Sequence, residues 1–352
     1  MGGANRIRAV FLPPMAWQPE RDAFRPDESP DPFEIYQQMS EQGIDSVLID
    51  PGPRPWNPFA GRATLLEALD PLRALRVLLT ERRADIIVCV FEGGSLPLVL
   101  MRRLSAFRVP IVLWDLGLTE AWKLRERVLD VVVPRVDGIF VLSASQKPYI
   151  GKRWGRLGGI EVIGQHVDTR FFAPALPAPD GPVLSIGEDV GRDFETFLAA
   201  VDGIPADFLI KTRLVRSDRV LPSRVSVMRE RLDYLGLRDL YAKSRFVVIP
   251  LHAVPNASGV SSILEASSVG RALIVSDADS IRDFVVPGET CLSVPCGDAG
   301  ALRAAIQRLI DEPETCAKLG ANGRRFMQEN FSNAVFANRI AELLKSYSRR
   351  PL

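Results

Sequence analysis

A loop of small residues leads into a short predicted helix, Val260–Ser268, and this stretch carries the most specific chemistry of the chain. Ser258 and Gly259 stand just before the helix, where small side chains leave the first backbone N–H groups accessible. Such N–H groups, together with the helix dipole, attract anions such as phosphate. Glu265 follows about two turns after Ser258, and a carboxylate there could accept hydrogen bonds from sugar hydroxyls. The pattern fits a nucleotide-sugar, or else an ordinary strand-to-helix loop followed by a solvated glutamate.

Length and composition restrict the class of protein. The chain has 352 residues, which suits two domains of about 150–200 residues each. Its 47% hydrophobic and 25% charged residues are typical of a globular soluble protein. The 44 Lys and Arg nearly balance the 43 Asp and Glu, and the net charge of +1 provides no overall attraction to nucleic acid.

Cysteine usage and hydropathy bear on the location of the protein. The four cysteines have no metal-ligand spacing, which favours free thiols in a reducing compartment. They are Cys89, Cys291, Cys296 and Cys316. The first residues lack an apolar signal region, and no apolar run approaches the length of a membrane span. We expect a cytoplasmic protein, with a peripheral contact on the inner membrane face left open.

Short apolar runs alternate with helical patterns, which predicts parallel sheets with helices on both faces. The strands predicted in the first half are Ile7–Leu12, Ser46–Asp50, Asp85–Phe91, Pro110–Asp115, Gly138–Ser143 and Glu161–Gly164. Those predicted in the second half are Val183–Ile186, Asp207–Thr212, Val225–Met228, Phe246–Pro250 and Ala272–Ser276. A proline-rich segment, Phe172–Pro182, separates the two halves and is predicted to link two doubly wound α/β domains. Ligands of such folds bind at the carboxyl ends of the strands, and we expect a cleft between the domains to hold the site.

Four stretches of the second half carry a family resemblance. They are Val183–Val201, Leu240–Pro250, Asn256–Asp277 and Gly288–Asp298. In combination they resemble the retaining, metal-independent glycosyltransferases of the GT-B fold, in particular family 4. The resemblance is good over Pro182–Tyr347 and weak before it.

This resemblance implies the GT-B fold, in which two Rossmann-like domains face each other across a cleft. Residues 1–172 would form an acceptor-binding domain, and residues 181–333 would form a nucleotide-sugar-binding domain. The C-terminal helix, at about 334–352, would pack back on the first domain.

The resemblance also implies an activity: transfer of a sugar from a nucleotide-diphosphate-sugar to a hydroxyl acceptor, with retention of anomeric configuration. The departing phosphate can itself take the acceptor's proton. No cofactor or metal is expected, since the nucleotide-sugar is a co-substrate. The acceptor stays open between a glycan, a lipid-linked molecule and a small molecule.

The leaving diphosphate needs positive charge where no metal is held, and cationic side chains with helix-end N–H groups supply it. Arg192 and Lys211 are the expected catalytic charges, although an arginine in a strand-end loop is more often part of a surface ion pair. The resemblance implies that Glu265 contacts the ribose of the donor. The other donor-binding candidates are Gly187, Arg213, His252, Asn256, Ser258, Gly259, Val260 and Ser261.

Departures from the family pattern weaken the assignment of sugar and acceptor recognition. Ala257 stands where the family often has a first glutamate, and Glu188 occupies the usual arginine position. Trp114 replaces the family's histidine, beside Asp115, which is a catalytic candidate. A second candidate in the first domain, Glu92, follows a predicted strand within a glycine-rich turn, where it could bind acceptor hydroxyls.

Three other classes compete with this interpretation. Because Ala257 and Trp114 depart from family chemistry, a degenerate GT-B protein that binds a nucleotide or a protein partner without catalysis is the main alternative. An epimerase of nucleotide-sugars with the same fold stays open, but it should carry more ionisable groups for proton abstraction near the cleft. A nicotinamide dehydrogenase is excluded, since no Gly-x-Gly-x-x-Gly turn follows a first strand.

The Asp277-Ala-Asp279 pair resembles a metal-binding motif, but aspartates after a strand more often cap the next helix.

Overall fold

A computed structural model of the chain describes residues 6–52, 57, 70–91, 94–103, 107–115, 123–254 and 257–348. The chain divides into two compact units. The first contains Met1–Phe24, Pro32–Gly164 and Phe336–Leu352, and the second contains Arg25–Asp31 and Gln165–Val335.

The first unit is built on a sheet of six parallel strands in the order β2-β1-β3-β4-β5-β6. The strands are β1 (Ile7–Leu12), β2 (Ile44–Leu48), β3 (Ile86–Val90), β4 (Ile111–Asp115), β5 (Gly138–Val141) and β6 (Ile160–Val162). The described helices before the second unit are α1 (Gln18–Ala23), α2 (Glu34–Glu41), α3 (Pro71–Thr80), α4 (Ser95–Arg102), α5 (Lys123–Val132) and α6 (Gln146–Trp154). Central strands such as β3 are apolar throughout because both faces of the sheet are covered.

The second unit contains another six-stranded parallel sheet, in the order β12-β11-β10-β7-β8-β9. Its strands are β7 (Val183–Ile186), β8 (Phe208–Lys211), β9 (Val225–Met228), β10 (Val247–Ile249), β11 (Leu273–Ser276) and β12 (Cys291–Val294). Its helices are α7 (Phe194–Val201), α8 (Tyr234–Lys243), α9 (Val260–Ser268), α10 (Ala299–Asp311) and α11 (Pro313–Asn330), with a 3₁₀ helix at Asp279–Phe284. The last helix, α12 (Asn333–Ser348), follows them.

Helices cover both faces of each sheet. In the first unit α3, α4 and α5 bury one side of the sheet through residues such as Val77, Leu98 and Leu129. The opposite side is covered by α2 and by α12, which buries Phe336 and Tyr347 there. The prediction of a GT-B-like α/β fold built on two parallel sheets is therefore confirmed.

The proline-rich segment Phe172–Pro182 belongs to the second unit. The Ala175 N–H donates to the Val269 carbonyl at 3.1 Å, and the Arg271 guanidinium donates to the Leu176 carbonyl at 2.5 Å. These bonds hold the segment against the end of α9 and the start of β11.

Some elements differ from the sequence predictions. The predicted strand Ser46–Asp50 lies two residues earlier, as β2, and the predicted helix Ser280–Val285 forms the 3₁₀ helix. β12 was not predicted, because this four-residue edge strand is only partly buried and its apolar run is broken by Ser293. α1 was not predicted either, since it buries no residue and has no apolar periodicity. None of the described helices combines the length and apolar character needed to cross a bilayer.

Candidate functional site

The strand order of the second sheet reverses between β7 and β10, and the carboxyl ends of these strands carry most of the predicted donor-binding residues. Two loops follow them and pair with each other. The His252 N–H donates to the Gly191 carbonyl at 2.9 Å, and the Asp193 N–H donates to the Pro250 carbonyl at 3.0 Å. The loop after β7 is thereby fixed beside the loop that leads into α9.

Two glycines allow these loops to approach closely. A Cβ atom at Gly187 would lie 2.1 Å from Nε of Arg192, so only glycine lets this side chain lie across the end of β7. A Cβ atom at Gly191 would lie 2.6 Å from Cβ of Ser258. Gly187, Arg192 and Ser258 therefore belong to one packed cluster.

Arg192 lies at the centre of this cluster and is 7% exposed. Its Nε donates to Asp189 Oδ2 at 2.9 Å, and its Nη2 donates to Ser262 Oγ at 2.9 Å. Its Nη1 is buried and has no hydrogen-bond partner among the described residues. A buried donor without an acceptor is costly, so this atom is suited to an acceptor from a ligand.

The N-terminus of α9 adjoins the same guanidinium. Gly259 is the N-cap residue, with φ at +86°, and it provides no side-chain cap. A Cβ atom at this position would lie 3.4 Å from Arg192 Nη1. The N-terminus of α9 and the Arg192 guanidinium therefore lie side by side and could bind the same anion. Val260 packs its side chain into the core and can contribute only its backbone, whereas Ser261 is exposed.

Asp189 was not predicted, yet it ties the cluster together. Its Oδ1 accepts hydrogen bonds from the Gly191 N–H at 3.1 Å and from the Ser258 hydroxyl. Its Oδ2 accepts the bond from Arg192, and the side chain stays 40% exposed. The Asp189 carboxylate thus accepts hydrogen bonds from three donors that lie beside the N-terminus of α9.

Lys211 and Arg213 lie at the end of β8, and both contact Glu188. The buried Lys211 ammonium donates to Glu188 Oε1 at 2.9 Å, while the Arg213 N–H and Nε donate to Oε2 at 3.0 and 3.3 Å. Burial by itself raises the pKa of Glu188, but the bonds from these two residues outweigh it and hold the pKa below its usual value. Both predicted cations therefore have an internal counterion.

Glu265 is partly buried in α9, and its Oε2 accepts a hydrogen bond from the Tyr241 hydroxyl at 2.9 Å. Desolvation raises the pKa of Glu265 from 4.5 to about 7, although the Tyr241 bond and the nearby charge of Arg192 act to lower it. A carboxyl group with this pKa exchanges its proton near neutral pH and can accept hydrogen bonds from ligand hydroxyls when it is ionised.

His252 lies at the edge of the cluster. Its backbone is fixed by the bond to Gly191, while its ring is 52% exposed, with Nδ1 3.6 Å from Asp193 Oδ2. That carboxylate also caps α7 by accepting from the Thr196 N–H and hydroxyl. The imidazole is therefore accessible from solvent.

The remaining candidates are Asn256, Glu92 and Asp115. Asn256 and Glu92 lie outside the described residues. Asp115 is the last residue of β4 in the first unit, where its backbone alone is described. Its neighbour Trp114 is buried and packs against Phe336, with ring centroids 5.7 Å apart, so this indole belongs to the core of the first unit.

Asp277 and Asp279 both form ion pairs with an arginine that follows them in sequence. Arg282 contacts Asp277 at 3.1 Å and Asp279 at 2.7 Å. This arrangement joins the end of β11 to the following 3₁₀ helix.

Comparison with known proteins shows which proteins this chain resembles. Residues 228–326, which include α9 and Glu265, match the family described as Glycosyl transferases group 1. Alpha-maltose-1-phosphate synthase of Mycolicibacterium smegmatis is 23% identical over 253 residues, which cover 61% of this chain and 65% of that protein. Glycogen synthase of Mycobacterium tuberculosis is 27% identical over 251 residues, covering 65% of this chain and 57% of that protein. The chain thus spans less than two thirds of the length of either relative.

Solved structures share the fold over nearly the whole chain. Sucrose-phosphate synthase from Thermosynechococcus elongatus superposes with a TM-score of 0.70 at 20% identity, covering 97% of this chain and 98% of that one. HepE from Anabaena, in complex with UDP-glucose, superposes with a TM-score of 0.66 at 14% identity, covering 97% of this chain and 100% of that one.

The fold is that of the GT-B proteins. The match to the glycosyltransferase group 1 family lies within the second unit, which also holds the cluster of cations at the entrance to α9.

Proposed function

We propose that this protein transfers a sugar from a nucleoside-diphosphate-sugar to a hydroxyl acceptor, with retention of anomeric configuration and without a metal ion. The observation that carries the proposal is the buried, unpartnered Nη1 of Arg192 beside the uncapped N-terminus of α9. A guanidinium and free helix N–H groups at one point form a site for a diphosphate. HepE, which shares the fold, binds UDP and UDP-glucose.

Each proposed residue has a separate part in donor binding. Arg192 and the first N–H groups of α9 hold the diphosphate, and Lys211 adds positive charge from the end of the adjacent β8. Ionised Glu265 accepts hydrogen bonds from the ribose hydroxyls. The exposed Arg213, His252 and Ser261 complete the donor set together with Asn256, and Gly187 and Gly259 support its backbone.

These groups favour departure of the nucleoside diphosphate because they stabilise the charge that develops on it. The acceptor hydroxyl attacks from the same face, and the departing phosphate takes its proton, so no separate base is required. Asp115 and Glu92 are the residues proposed to contact the acceptor.

Calorimetry with UDP, GDP, ADP and UDP-glucose tests donor binding. We expect one nucleoside diphosphate to bind and Arg192→Gln to weaken its binding at least about tenfold, the loss expected for a charge-assisted hydrogen bond. Arg216→Gln is the matched control, because the side chain of this exposed arginine of the same unit contacts Asp218, at 2.7 Å, and no other carboxylate among the described residues. Equal melting temperatures of both variants would show that the fold is kept. The proposal fails if no nucleoside diphosphate binds, or if Arg192→Gln binds as tightly as the wild type.

A non-catalytic nucleotide-binding protein is the second candidate, and one observation favours it. Glu188 and Asp189 already neutralise Lys211 and Arg192, which reduces the positive charge left for a leaving group. Prolonged incubation with the bound nucleotide-sugar separates the cases. Slow release of free nucleoside diphosphate supports a transferase, binding without any turnover supports the second candidate, and an isomerised sugar would indicate an epimerase.

A further inference from the structure

The first unit has a helical surface that exposes several leucines to solvent. Helices α3, α4 and α5 lie side by side on one face of the first sheet and bury their inner residues in the core. Their outer sides carry five leucines that are 39 to 58% exposed. We refer to these five as the leucine surface: Leu72, Leu75, Leu79, Leu100 and Leu124.

The pattern along α3 is the clearest. Leu72, Leu75 and Leu79 have the spacing of one helical face and are all exposed, while Ala74 and Val77 on the opposite face are fully buried. A helix at the surface of a soluble protein normally has charged and polar residues on its outer face. Exposed apolar side chains grouped on neighbouring helices are typical of a surface that binds another molecule.

Exposed arginines stand on or just after the same helices. Arg76 on α3, Arg103 just after α4 and Arg127 on α5 are exposed, and none of them forms an ion pair with another described residue.

The acidic residues nearby are occupied. Glu81 accepts from Arg8 at 2.9 Å, and Arg153 contacts Glu126 at 3.6 Å and Asp130 at 3.2 Å. Among the described residues, the unpaired charges that adjoin the leucine surface are therefore positive.

We propose that the leucine surface binds to an anionic lipid bilayer. Leucines would enter the boundary between headgroups and acyl chains, and the arginines would contact lipid phosphates, as in helices that lie in the membrane interface. Protein-binding surfaces instead concentrate their binding energy in tryptophan, tyrosine and arginine, with leucine under-represented. The sequences of α3, α4 and α5 contain no aromatic residue, which favours lipid as the partner.

Co-sedimentation of the full chain with lipid vesicles tests the proposal. We expect binding to vesicles of phosphatidylcholine mixed with phosphatidylglycerol, and weaker binding to phosphatidylcholine alone. Leu75→Ser combined with Leu79→Ser should weaken binding to the anionic vesicles at least about tenfold, because each leucine removed takes apolar area out of the interface. Leu157→Ser is the matched control, since Leu157 is 90% exposed in the same unit but outside the leucine surface.

A second variant addresses the charge. Arg76→Gln combined with Arg103→Gln should flatten the dependence of vesicle binding on salt concentration, because fewer cations meet the headgroups. The fold of every variant is checked by its melting temperature.

Three results would overturn the proposal. The first is a wild-type protein that does not sediment with anionic vesicles. The second is an equal loss of binding in Leu157→Ser. The third is a lipid-free dimer, seen by light scattering, that Leu75→Ser with Leu79→Ser dissociates, because a second copy of the chain would then cover the leucine surface.

Discussion

Replacing Glu265 with glutamine should change how the stability of this protein depends on pH. Desolvation raises the pKa of Glu265 from 4.5 to about 7 in the folded chain. The folded state therefore binds the proton more tightly than the unfolded state does. This carboxyl group contributes its full stabilisation below pH 4.5, and the contribution is lost as the pH rises toward 7.

The size of the effect follows from the shift in pKa. One pKa unit corresponds to about 1.4 kcal/mol, so the contribution of Glu265 to the free energy of unfolding falls by about 2.5 kcal/mol between about pH 5 and pH 8. Glutamine is neutral at every pH and keeps an oxygen that can accept the Tyr241 hydrogen bond. Glu265→Gln therefore removes the titration while it preserves the packing of α9.

Urea unfolding of both proteins at a series of pH values measures this difference. The wild type should lose stability relative to Glu265→Gln by about 2.5 kcal/mol between about pH 5 and pH 8. Glu289→Gln, an exposed substitution in the same unit, should follow the wild type at each pH. A wild-type-to-variant difference that stays constant with pH would refute the reasoning, because Glu265 would then titrate alike in the folded and unfolded states.

Two further substitutions test the donor site and the packing of the second unit. Glu188→Gln should strengthen binding of the nucleoside diphosphate by about three- to tenfold, since it removes a negative charge that competes for Lys211; calorimetry should show this gain, and none for the exposed Glu195→Gln. Unchanged or weaker binding by Glu188→Gln would contradict the role of this carboxylate as a competing counterion. Gly320→Ala should lower the free energy of unfolding by about 2–3 kcal/mol, because its Cβ atom would lie 2.2 Å from the Gly270 carbonyl oxygen. Gly323→Ala has only ordinary contacts and should cost less than half as much in urea unfolding; equal losses would contradict the packing argument.

The parallel strands could be predicted from sequence because burial on both faces leaves almost continuous apolar runs. β1, β7 and β9 begin and end at the predicted residues. The end of α9 was also predictable, since Gly270, with φ at +81°, adopts the left-handed conformation that follows a helix. Elements without a buried stripe, such as α1, leave no comparable signal.

Contacts between side chains of the candidate site could not be predicted in the same way. Glu188 and Asp189 are adjacent in sequence, yet one contacts the end of β8 and the other contacts the entrance to α9. The partner of Glu265 is Tyr241, which lies in α8 and is brought to it only by packing of the two helices. The types and spacing of the residues indicated an anion site. That Glu188 and Asp189 pair with its cations depends on tertiary structure and could not be read from the sequence.

The position of α12 affects the order in which the protein can fold during synthesis. Phe336 of this helix packs on Trp114, and Tyr347 packs on Phe140 and closes over Gly138, whose Cβ would lie 2.5 Å from the tyrosine ring. These residues leave the ribosome only after the whole second unit has been translated. The part of the first sheet that α12 covers consequently stays exposed during elongation, although α2 is already available on that side, and we expect the unit translated later to reach its native state first.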